Sequence, residues 1–153
     1  MAELDAFPDN RLHRALDDAL SRIGDRWSLL VVAALLDGPR RFGELQAAVS
    51  GIATNVLTQR LRALEAGEIV VARPYSRRPL RSAYHLTATG RELAGALRLL
   101  SQWGADAAGP GSGTVAPAHQ ACGTQLEVRW WCPTCDQAVE AGTEGDEGTL
   151  LWV

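Results

Sequence analysis

The sequence predicts a mainly α-helical fold with a small β-hairpin wing, a winged helix-turn-helix, followed by a small β module of the zinc-ribbon kind. Three observations support this prediction. Apolar residues recur at helical spacing through most of residues 11–104. An arginine-rich loop between two short alternating segments interrupts the helices at residues 69–86. Beyond a stretch rich in glycine, alanine and proline, a histidine and three cysteines form two closely spaced pairs.

Charge is unevenly distributed along the 153 residues, whose formal net charge is −3. Residues 1–104 contain 14 arginines and 11 acids, whereas residues 105–153 contain one arginine and seven acids. Between Arg40 and Arg98, ten arginines against four acids give a balance of +6. A local field of this kind attracts phosphate, so the overall acidity does not exclude a nucleic-acid partner.

The compartment can be inferred from what the sequence does not contain. It has no apolar run of membrane-spanning length, and its first residues lack the basic and apolar regions of a signal peptide. We therefore expect a cytoplasmic protein with no membrane partner. Thiols stay reduced in that compartment, which favours metal ligands or redox groups over structural disulfides for the three cysteines.

Two helices are predicted first. Leu16, Leu20 and Ile23 recur at helical spacing. Asp25 is suited to cap a second helix whose apolar positions continue to Leu35, and Gly38 with the following proline ends it.

A short strand at residues 40–42 and a third helix follow. This helix is expected to begin near Gly43 and to break at residues 50–51. Its predicted buried positions follow the i, i+3, i+4, i+7 pattern and are Leu45, Ala48, Val49 and Ile52.

A fourth helix, Thr54–Ala66, has a polar face free of acids. A rotation of about 100° per residue places Leu57, Leu61 and Leu64 together on the opposite, buried face. Asn and Gln side chains match adenine edges and Arg matches guanine, so the polar face can recognise bases. Its candidate DNA contacts are Thr54, Asn55, Thr58, Gln59 and Arg62, with Arg60 on the flank. Arg60 and Arg62 could bind phosphate instead of bases.

The wing is predicted from strands at residues 69–73 and 82–86 with a loop at 74–81. The loop carries Arg77, Arg78 and Arg81 together with two prolines, a rigid cationic tip suited to a phosphate backbone or a minor groove. We assign Arg41 to the same basic surface. Thr87 should then cap a last long helix, whose apolar stripe of Leu93, Leu97 and Leu100 predicts a dimer contact.

Together these residues resemble the HxlR-type winged helix-turn-helix regulators of bacteria over about two thirds of the chain. The resemblance is carried by the runs IGDRW at 23–27, LDGPRRFGEL at 36–45, GI at 51–52, LTQRL at 57–61 and YHLT at 84–87, and by Gly90, Trp103 and Gly104. It implies a homodimeric transcriptional regulator, most commonly a repressor, that binds a double-stranded DNA operator. The fourth helix would enter the major groove and the wing would contact the flanking backbone.

The resemblance also implies that the first and last helices build the dimer. The residues assigned to this interface, or to an effector site beside it, are Leu16, Leu20, Leu97, Leu100 and Trp103. Two positions depart from the family. Arg14 stands where many members have a sensing cysteine, so thiol sensing is not expected there. Ala53 replaces a serine at the start of the fourth helix, which suggests that the cap shifts to Thr54.

The last third of the chain differs in composition. Residues 105–118 are predicted to be a flexible linker between the winged domain, 11–104, and a zinc-ribbon-like module with an acidic tail, 119–153. Two pairs at x2 spacing supply four ligands for a structural, tetrahedral zinc ion: His119, Cys122, Cys132 and Cys135. A strand is expected at 126–130, with one of Trp130 and Trp131 covering a small core.

Several alternatives remain open from the sequence. Cys132 and Cys135 could instead form a redox dithiol. The tail could be a metal or redox sensor that controls DNA affinity, or the whole chain could be a protein-interaction adaptor. Trp27 and Trp103 are expected to be packing residues, with an aromatic pocket for a small-molecule effector as the alternative. No catalytic constellation is found, so an enzyme is not expected.

Overall fold

A computed structural model describes residues 11–23, 25–107, 118–126 and 128–139. The first two ranges form the winged helix-turn-helix and the last two form a pair of small hairpins. Its helices are α1 (Arg11–Ile23), α2 (Arg26–Leu36), α3 (Phe42–Ala48), α4 (Thr54–Ala66) and α5 (Ala88–Ala107). Its strands are β1 (Arg40–Arg41), β2 (Val70–Arg77), β3 (Leu80–Leu86), β4 (Trp130–Cys132) and β5 (Gln137–Val139).

The core lies where α2, α3 and α4 meet the base of the β2–β3 hairpin. The predicted leucine face of α4 is confirmed, because Leu57, Leu61 and Leu64 are all buried. They pack with Val31, Val32 and Leu45, whose side chains are also inaccessible to solvent, and with Ile69, Val70 and Leu86 from the sheet. This packing orients α4, since burial of its leucines leaves the opposite face toward solvent.

Asp25 starts α2 as the sequence predicts. Its Oδ1 atom accepts hydrogen bonds from the backbone N–H groups of Trp27, at 2.7 Å, and Ser28, at 3.2 Å. These bonds satisfy two of the amides that a helix start leaves without partners. Helix α2 ends ahead of Gly38, whose φ of +137° is a conformation that side-chain-bearing residues rarely adopt.

Helix α3 begins one residue earlier than predicted, at Phe42. The Glu44 carboxylate accepts a hydrogen bond of 2.7 Å from the backbone N–H of Arg41, which stabilises this start. Leu45, Val49 and Ile52 are buried as predicted, but Ala48 is exposed. The expectation for Ala48 was wrong because the helix ends at that residue and the chain then turns away through Gly51.

Helix α4 has the predicted bounds but not the predicted cap. Ala53 is its N-cap residue and provides no side-chain hydrogen bond. The Thr54 hydroxyl accepts a hydrogen bond of 2.8 Å from the Gln46 side chain, across the turn between the two helices. Thr54 is therefore the first helical residue and ties α4 to α3, rather than replacing the missing cap.

The wing is longer and tighter than expected. Strands β2 and β3 pair from Val70 opposite Leu86 to Arg77 opposite Leu80, so most of the predicted loop at 74–81 is strand. The register shifts between Pro74 and Ser76, which leaves Tyr75 as the additional residue of a bulge. The bulge explains how a proline is accommodated inside a strand, and the sheet order is β1-β3-β2.

Thr87 caps α5 as predicted and also joins it to the end of α4. Its hydroxyl accepts a hydrogen bond of 3.0 Å from the Gly90 N–H and donates one of 2.6 Å to the Glu68 carbonyl. Gly90 packs so closely that an added Cβ would overlap the carbonyl oxygen of Ile69. Helix α5 continues to Ala107, so residues 105–107 are helical and not linker.

Residues 118–126 and 128–139 each contain a small hairpin. The first is closed by an antiparallel bridge between Ala118 and Gln125, and the second pairs β4 with β5. The expected strand at 126–130 is wrong, because β4 begins only at Trp130. Trp130 and Trp131 are both exposed, so neither covers a core within the described residues. The rest of the predicted linker, 108–117, and the acidic tail from 140 onward lie outside those residues.

Among the described residues, no helix is both long enough and apolar enough to cross a membrane.

Candidate nucleic-acid interface

The outward face of α4 presents two amide side chains one helical turn apart. Asn55 and Gln59 are both exposed, and neither side chain makes a hydrogen bond within the described part of the chain. Their donors and acceptors are therefore available to a base edge, where Asn and Gln can form paired hydrogen bonds with adenine. The buried leucines on the other side of the helix fix the direction in which these amides point.

The two threonines of this face are already partly engaged. Thr54 accepts the bond from Gln46, and the Thr58 hydroxyl donates a hydrogen bond of 2.8 Å to the Thr54 carbonyl. Thr58 is also half-buried, and because its hydroxyl hydrogen is used, only its methyl group and the two acceptor lone pairs of the hydroxyl are left for a contact. Asn55 and Gln59 are consequently the more available of the predicted base contacts.

Arg60 is held inside the domain. Its Nε atom lies 2.7 Å from Oδ2 of Asp25, and both side chains are less than one third exposed. The approach is an ionic contact and not a well-aligned hydrogen bond, because Nε has no partner with hydrogen-bond geometry. A DNA contact by Arg60 stays a prediction, but the geometry favours a positioning role. Asp25 thus caps α2 with one oxygen and pairs with α4 through the other.

The tip of the wing exposes its arginines. Arg77, Arg78 and Arg81 are all exposed, and within the described residues none of them is paired with a carboxylate. Only Arg78 and Pro79 form the turn between the strands, so the arginines project from a short, hydrogen-bonded hairpin rather than from a long loop. Such cations bind phosphate without first losing an internal partner.

Arg41 and Tyr75 form a contact that the sequence did not predict. The Arg41 guanidinium lies 4.5 Å from the centre of the Tyr75 ring, and its Nε is 4.0 Å from the Glu44 carboxylate. The contact places the ring on the same face of the sheet as Arg41. This contact connects the wing to the start of α3. Its only signal in the sequence is Tyr75, an aromatic residue directly after Pro74.

Arg62 is exposed at the other side of α4, close to the sheet. Its positive charge lies near the half-buried hydroxyl of Tyr84. Burial raises the pKa of Tyr84, the Glu65 carboxylate raises it further, and Arg62 partly offsets both effects. The guanidinium of Arg62 remains accessible for a phosphate or a base.

The predicted dimer residues lie on two exposed apolar surfaces. Leu16 and Leu20 on α1 are exposed, as is the neighbouring Leu12. On α5, Leu100 and Trp103 are exposed, Trp103 by 71%, and Leu99 extends this surface. Leu97 differs, because it is half-buried and packs against the core. The sequence did not single out Leu12 or Leu99, although both follow helical spacing on their stripes.

A cavity lies between α1 and α5, but it is not the tryptophan-lined effector pocket that the sequence left open. Trp27 is half-buried against the core, and Trp103 is exposed. The cavity has a volume of about 170 Å³ and is lined by Ala19, Arg22, Ile23, Ile69, Thr89, Glu92 and Leu93, so neither tryptophan borders it. Ligand pockets usually measure about 300–1,000 Å³, so this one is small for an effector.

The four predicted metal ligands lie in two separate turns. Nδ1 of His119 is 3.2 Å from Sγ of Cys122 in the first hairpin. Cys132 and Cys135 form a second contact at the turn between β4 and β5. Among the described residues, no group of three or more His, Cys, Asp or Glu side chains lies close enough together to bind a metal ion.

The thiols have different proton affinities. Hydrogen bonds between the Cys122 sulfur and the Thr124 hydroxyl and backbone, and then with His119, lower the pKa of Cys122. The pKa of Cys132 is lowered by the backbone N–H of Cys135, the Cys135 thiol and the backbone N–H of Thr134. The pKa of Cys135 is raised, because its thiol donates to Cys132 and lies beside its negative charge. Thiolate formation is therefore favoured at one cysteine of each turn.

The leucines of α4 hold a helix whose outward amides are free, and the wing is a hairpin whose arginines are unpaired with carboxylates among the described residues. Together these features define a winged helix-turn-helix protein of the DNA-binding class. The HxlR-like helix-turn-helix family matches residues 22–111, and this chain belongs to that family.

Curated relatives agree with this assignment. An uncharacterized HTH-type transcriptional regulator of Mycobacterium tuberculosis is 36% identical over 124 residues, covering 80% of this chain and 78% of that protein. The HTH-type transcriptional regulator YodB of Bacillus subtilis is 31% identical over 102 residues, 67% of this chain and 91% of YodB. The family consists of transcriptional regulators that bind DNA and are not enzymes.

Solved structures support the same fold. The reduced form of the redox regulator HypR is 30% identical, with a TM-score of 0.58 over 62% of this chain and 94% of that chain. A transcription factor from Pseudomonas aeruginosa is also 30% identical, with a TM-score of 0.59 over 85% of this chain and 93% of that chain. The match confirms the mainly helical fold with its small antiparallel sheet.

Proposed function

We propose that this chain is a homodimeric, sequence-specific repressor in which α4 enters the major groove and the wing binds the flanking backbone. The observation that carries the proposal is the free amide pair of Asn55 and Gln59 on an otherwise leucine-anchored helix. Because both amides lack internal partners, base edges can satisfy them at no cost in intramolecular hydrogen bonds. Repression is the commoner activity of the regulators that the chain resembles.

The wing supplies affinity that does not depend on sequence. Arg77, Arg78 and Arg81 carry positive charge on a short hairpin, and Arg41 adds a fourth cation at its base. Each phosphate that a cation neutralises adds about −0.9 to the slope of log K, where K is the association constant, plotted against the logarithm of the salt concentration. A dimer uses each arginine twice, so one substitution removes about 1.8 from the slope.

The dimer is proposed from the exposed stripes of α1 and α5. Leu16, Leu20, Leu100 and Trp103 would together form an isologous interface around a two-fold axis. Exposed leucines and a tryptophan at this density are typical of an interaction surface rather than of a solvated helix. The dimer places two copies of α4 on one face of the DNA, and half-sites about 34–36 Å apart would match a single helical turn.

The test begins with genomic fragments recovered by the purified full-length chain, which provide an operator for fluorescence-anisotropy titrations. Arg78→Gln should weaken binding to all sequences and reduce the salt slope by about 1.8. Arg98→Gln, an exposed arginine on α5, is the matched control and should leave the slope unchanged. Equal effects of the two changes would show that only the long-range field matters and would remove the wing contact from the proposal.

Base recognition is tested separately. Asn55→Ala or Gln59→Ala should reduce discrimination at particular base pairs by about 1–3 kcal/mol. Gln102→Ala, an exposed amide on α5, should leave base preference unchanged. The recognition face is wrongly assigned if preference survives both α4 substitutions. Transcription from a template that carries the operator, measured with and without the protein, decides between repression and activation.

Self-association is tested by light scattering on the free protein. Leu16→Glu and Leu100→Glu should shift the mass to that of a monomer, because each places a charge in the apolar interface. Leu80→Glu, at the exposed wing tip, is the control and should remain dimeric. A parent protein that is monomeric at the concentrations where it binds DNA would contradict the homodimer.

A second candidate, a sensor whose tail controls DNA affinity, is favoured by the paired thiols at Cys132 and Cys135 and by a solved relative named as a redox regulator. Arg14 stands where many members of the family have their sensing cysteine, so any thiol sensing would involve the tail. This candidate requires that chelation or mild oxidation change operator affinity at least tenfold, about 1.4 kcal/mol of coupling. A protein-interaction adaptor would instead show no salt-dependent DNA binding.

A further inference from the structure

Residues 118–126 and 128–139 form two hairpins without an apolar core. Of the side chains described in these ranges, only Cys132 and Val139 are half-buried, and all the others are exposed. The exposed set includes large apolar residues that would normally be covered, among them Leu126, Val128 and Trp131. Two hairpins of this size do not bury enough apolar surface to be stable in water by themselves. Another interaction must hold them.

The first hairpin places a nitrogen and a sulfur ligand side by side. Hydrogen bonds from the Cys122 and Gly123 amides to the His119 carbonyl, at 3.3 and 2.7 Å, form the turn. Gly123 has a φ of +72°, which permits this tight turn. The His119 Nδ1 and Cys122 Sγ atoms are 3.2 Å apart. Zn–N and Zn–S bonds of about 2.0 and 2.3 Å at a tetrahedral angle would separate these atoms by about 3.5 Å.

The second hairpin repeats the arrangement with two sulfurs. Asp136 donates its backbone N–H to the Cys132 carbonyl at 2.9 Å, and its φ of +55° closes the turn. Backbone N–H groups of Thr134 and Cys135 point toward the Cys132 sulfur. Amides that donate to sulfur stabilise a thiolate and orient it, which is the arrangement that groups around metal ligands provide.

We propose that these two turns are the halves of one structural zinc site, with His119, Cys122, Cys132 and Cys135 as its ligands and one zinc ion per chain. The two pairs are separate in this structure, so the ion would bring them together. Nine residues link Cys122 to Cys132, enough chain to place the turns face to face. One imidazole and three thiolates complete a tetrahedral shell and leave no open position for catalysis.

Zinc suits this ligand set for two reasons. It prefers sulfur and nitrogen ligands in tetrahedral geometry, whereas calcium and magnesium prefer oxygen. Zinc binding also supplies folding free energy where a core is missing, as in other small metal-stabilised modules. The ion would join the hairpins directly and bring the exposed apolar side chains of both toward each other.

Trypsin provides a site-specific probe, because the chain contains no lysine and Arg129 is its only arginine beyond Arg98. The bond after Arg129 lies between the two ligand pairs. The full-length chain is purified under reducing conditions, stripped of metal with chelator and digested with and without added zinc. We expect zinc to slow the release of peptide 130–153 at least about tenfold, because cleavage follows the population of the opened hairpins.

Metal analysis and competition with a zinc-binding dye complete the test. We expect one zinc per chain, and at least about 100-fold weaker binding for His119→Ala, Cys122→Ser and Cys132→Ser, more than the loss of a group that only supports a ligand. His13→Ala, an exposed histidine on α1, is the matched control and should bind zinc like the parent. In the cobalt-substituted protein, each ligand variant should change the tetrahedral absorption bands.

Several results would overturn the proposal. These are zinc retained by a Cys132→Ser/Cys135→Ser double variant, zinc retained by a His119→Ala/Cys122→Ser double variant, or digestion after Arg129 that zinc does not slow. Operator binding by the same preparations keeps the proposal distinct from DNA recognition, because the four ligands lie outside the winged domain. A protein that binds its operator but no zinc would contradict the zinc site alone. A protein that binds zinc but no operator would contradict the proposed function alone.

Discussion

Replacing Asp25 should separate two functions that one carboxylate performs. Its Oδ1 caps α2, and its Oδ2 lies 2.7 Å from Nε of Arg60 on α4. Asp25→Asn preserves a capping side chain and removes the charge, whereas Asp25→Ala removes both. Loss of the cap costs about 1 kcal/mol, and loss of an ion pair that is about one third exposed costs about 0.5–1 kcal/mol.

The free energy of unfolding should therefore fall by about 2 kcal/mol in Asp25→Ala and by at most about 1 kcal/mol in Asp25→Asn. Chemical denaturation measures both values, and the alanine variant should melt about 10 °C lower in a domain of this size. A double-mutant cycle with Arg60→Gln should give a coupling of about 0.5–1 kcal/mol.

Equal destabilisation by asparagine and alanine would refute the capping argument, and a coupling near zero would refute the ion pair. DNA binding provides an independent check. If Arg60 positions α4 without contacting phosphate, Arg60→Gln should retain the parent salt slope. A slope reduced by about 0.9 per chain would show that the ion pair opens and that Arg60 contacts the backbone in the complex.

Three further changes test other parts of the fold. Gly90→Ala should cost about 2–3 kcal/mol, because its Cβ would overlap the Ile69 carbonyl, whereas Gly95→Ala on an open face of α5 should be neutral or stabilising in the same denaturation assay. Tyr75→Leu should lose the stacking on Arg41, about 0.5–1 kcal/mol, and weaken operator binding, whereas Tyr75→Phe should retain most of both. Above about pH 10 the free energy of unfolding should fall as pH rises, because folding raises the pKa of Tyr84 and the unfolded chain loses that proton first. The same decline in a Tyr84→Phe protein would contradict this assignment.

Local patterns predicted much of the winged domain because its helices are set by nearby residues. The three leucines of α4 and the capping residues Asp25 and Thr87 act within a few positions of the chain, so their spacing alone located the helices. The wing was harder. Pro74 suggested the end of a strand, and only the pairing with β3 shows that a bulge lets the strand continue past it.

The candidate site divides in the same way. Which residues face outward on α4 follows from helical periodicity, and that part was predictable. Partners distant in sequence were not, because Arg60 and Asp25 are 35 positions apart and Arg41 and Tyr75 are 34 apart. Trp130 and Trp131 are both exposed because the two hairpins cover little surface. Alternation along a strand predicts which side chains share a face, but not whether anything covers that face.

The junction at Gly90 has a mechanical consequence. The backbone of α5 touches Ile69, and Thr87 is hydrogen-bonded to Glu68. These are two of the three residues that connect the end of α4 to the first wing strand. With no side chain between them, α5 cannot tilt without displacing that connection. In the proposed homodimer, a change in how the two copies meet along α5 would therefore move α4 and the wing together, and we expect the spacing of the two half-sites to change with it.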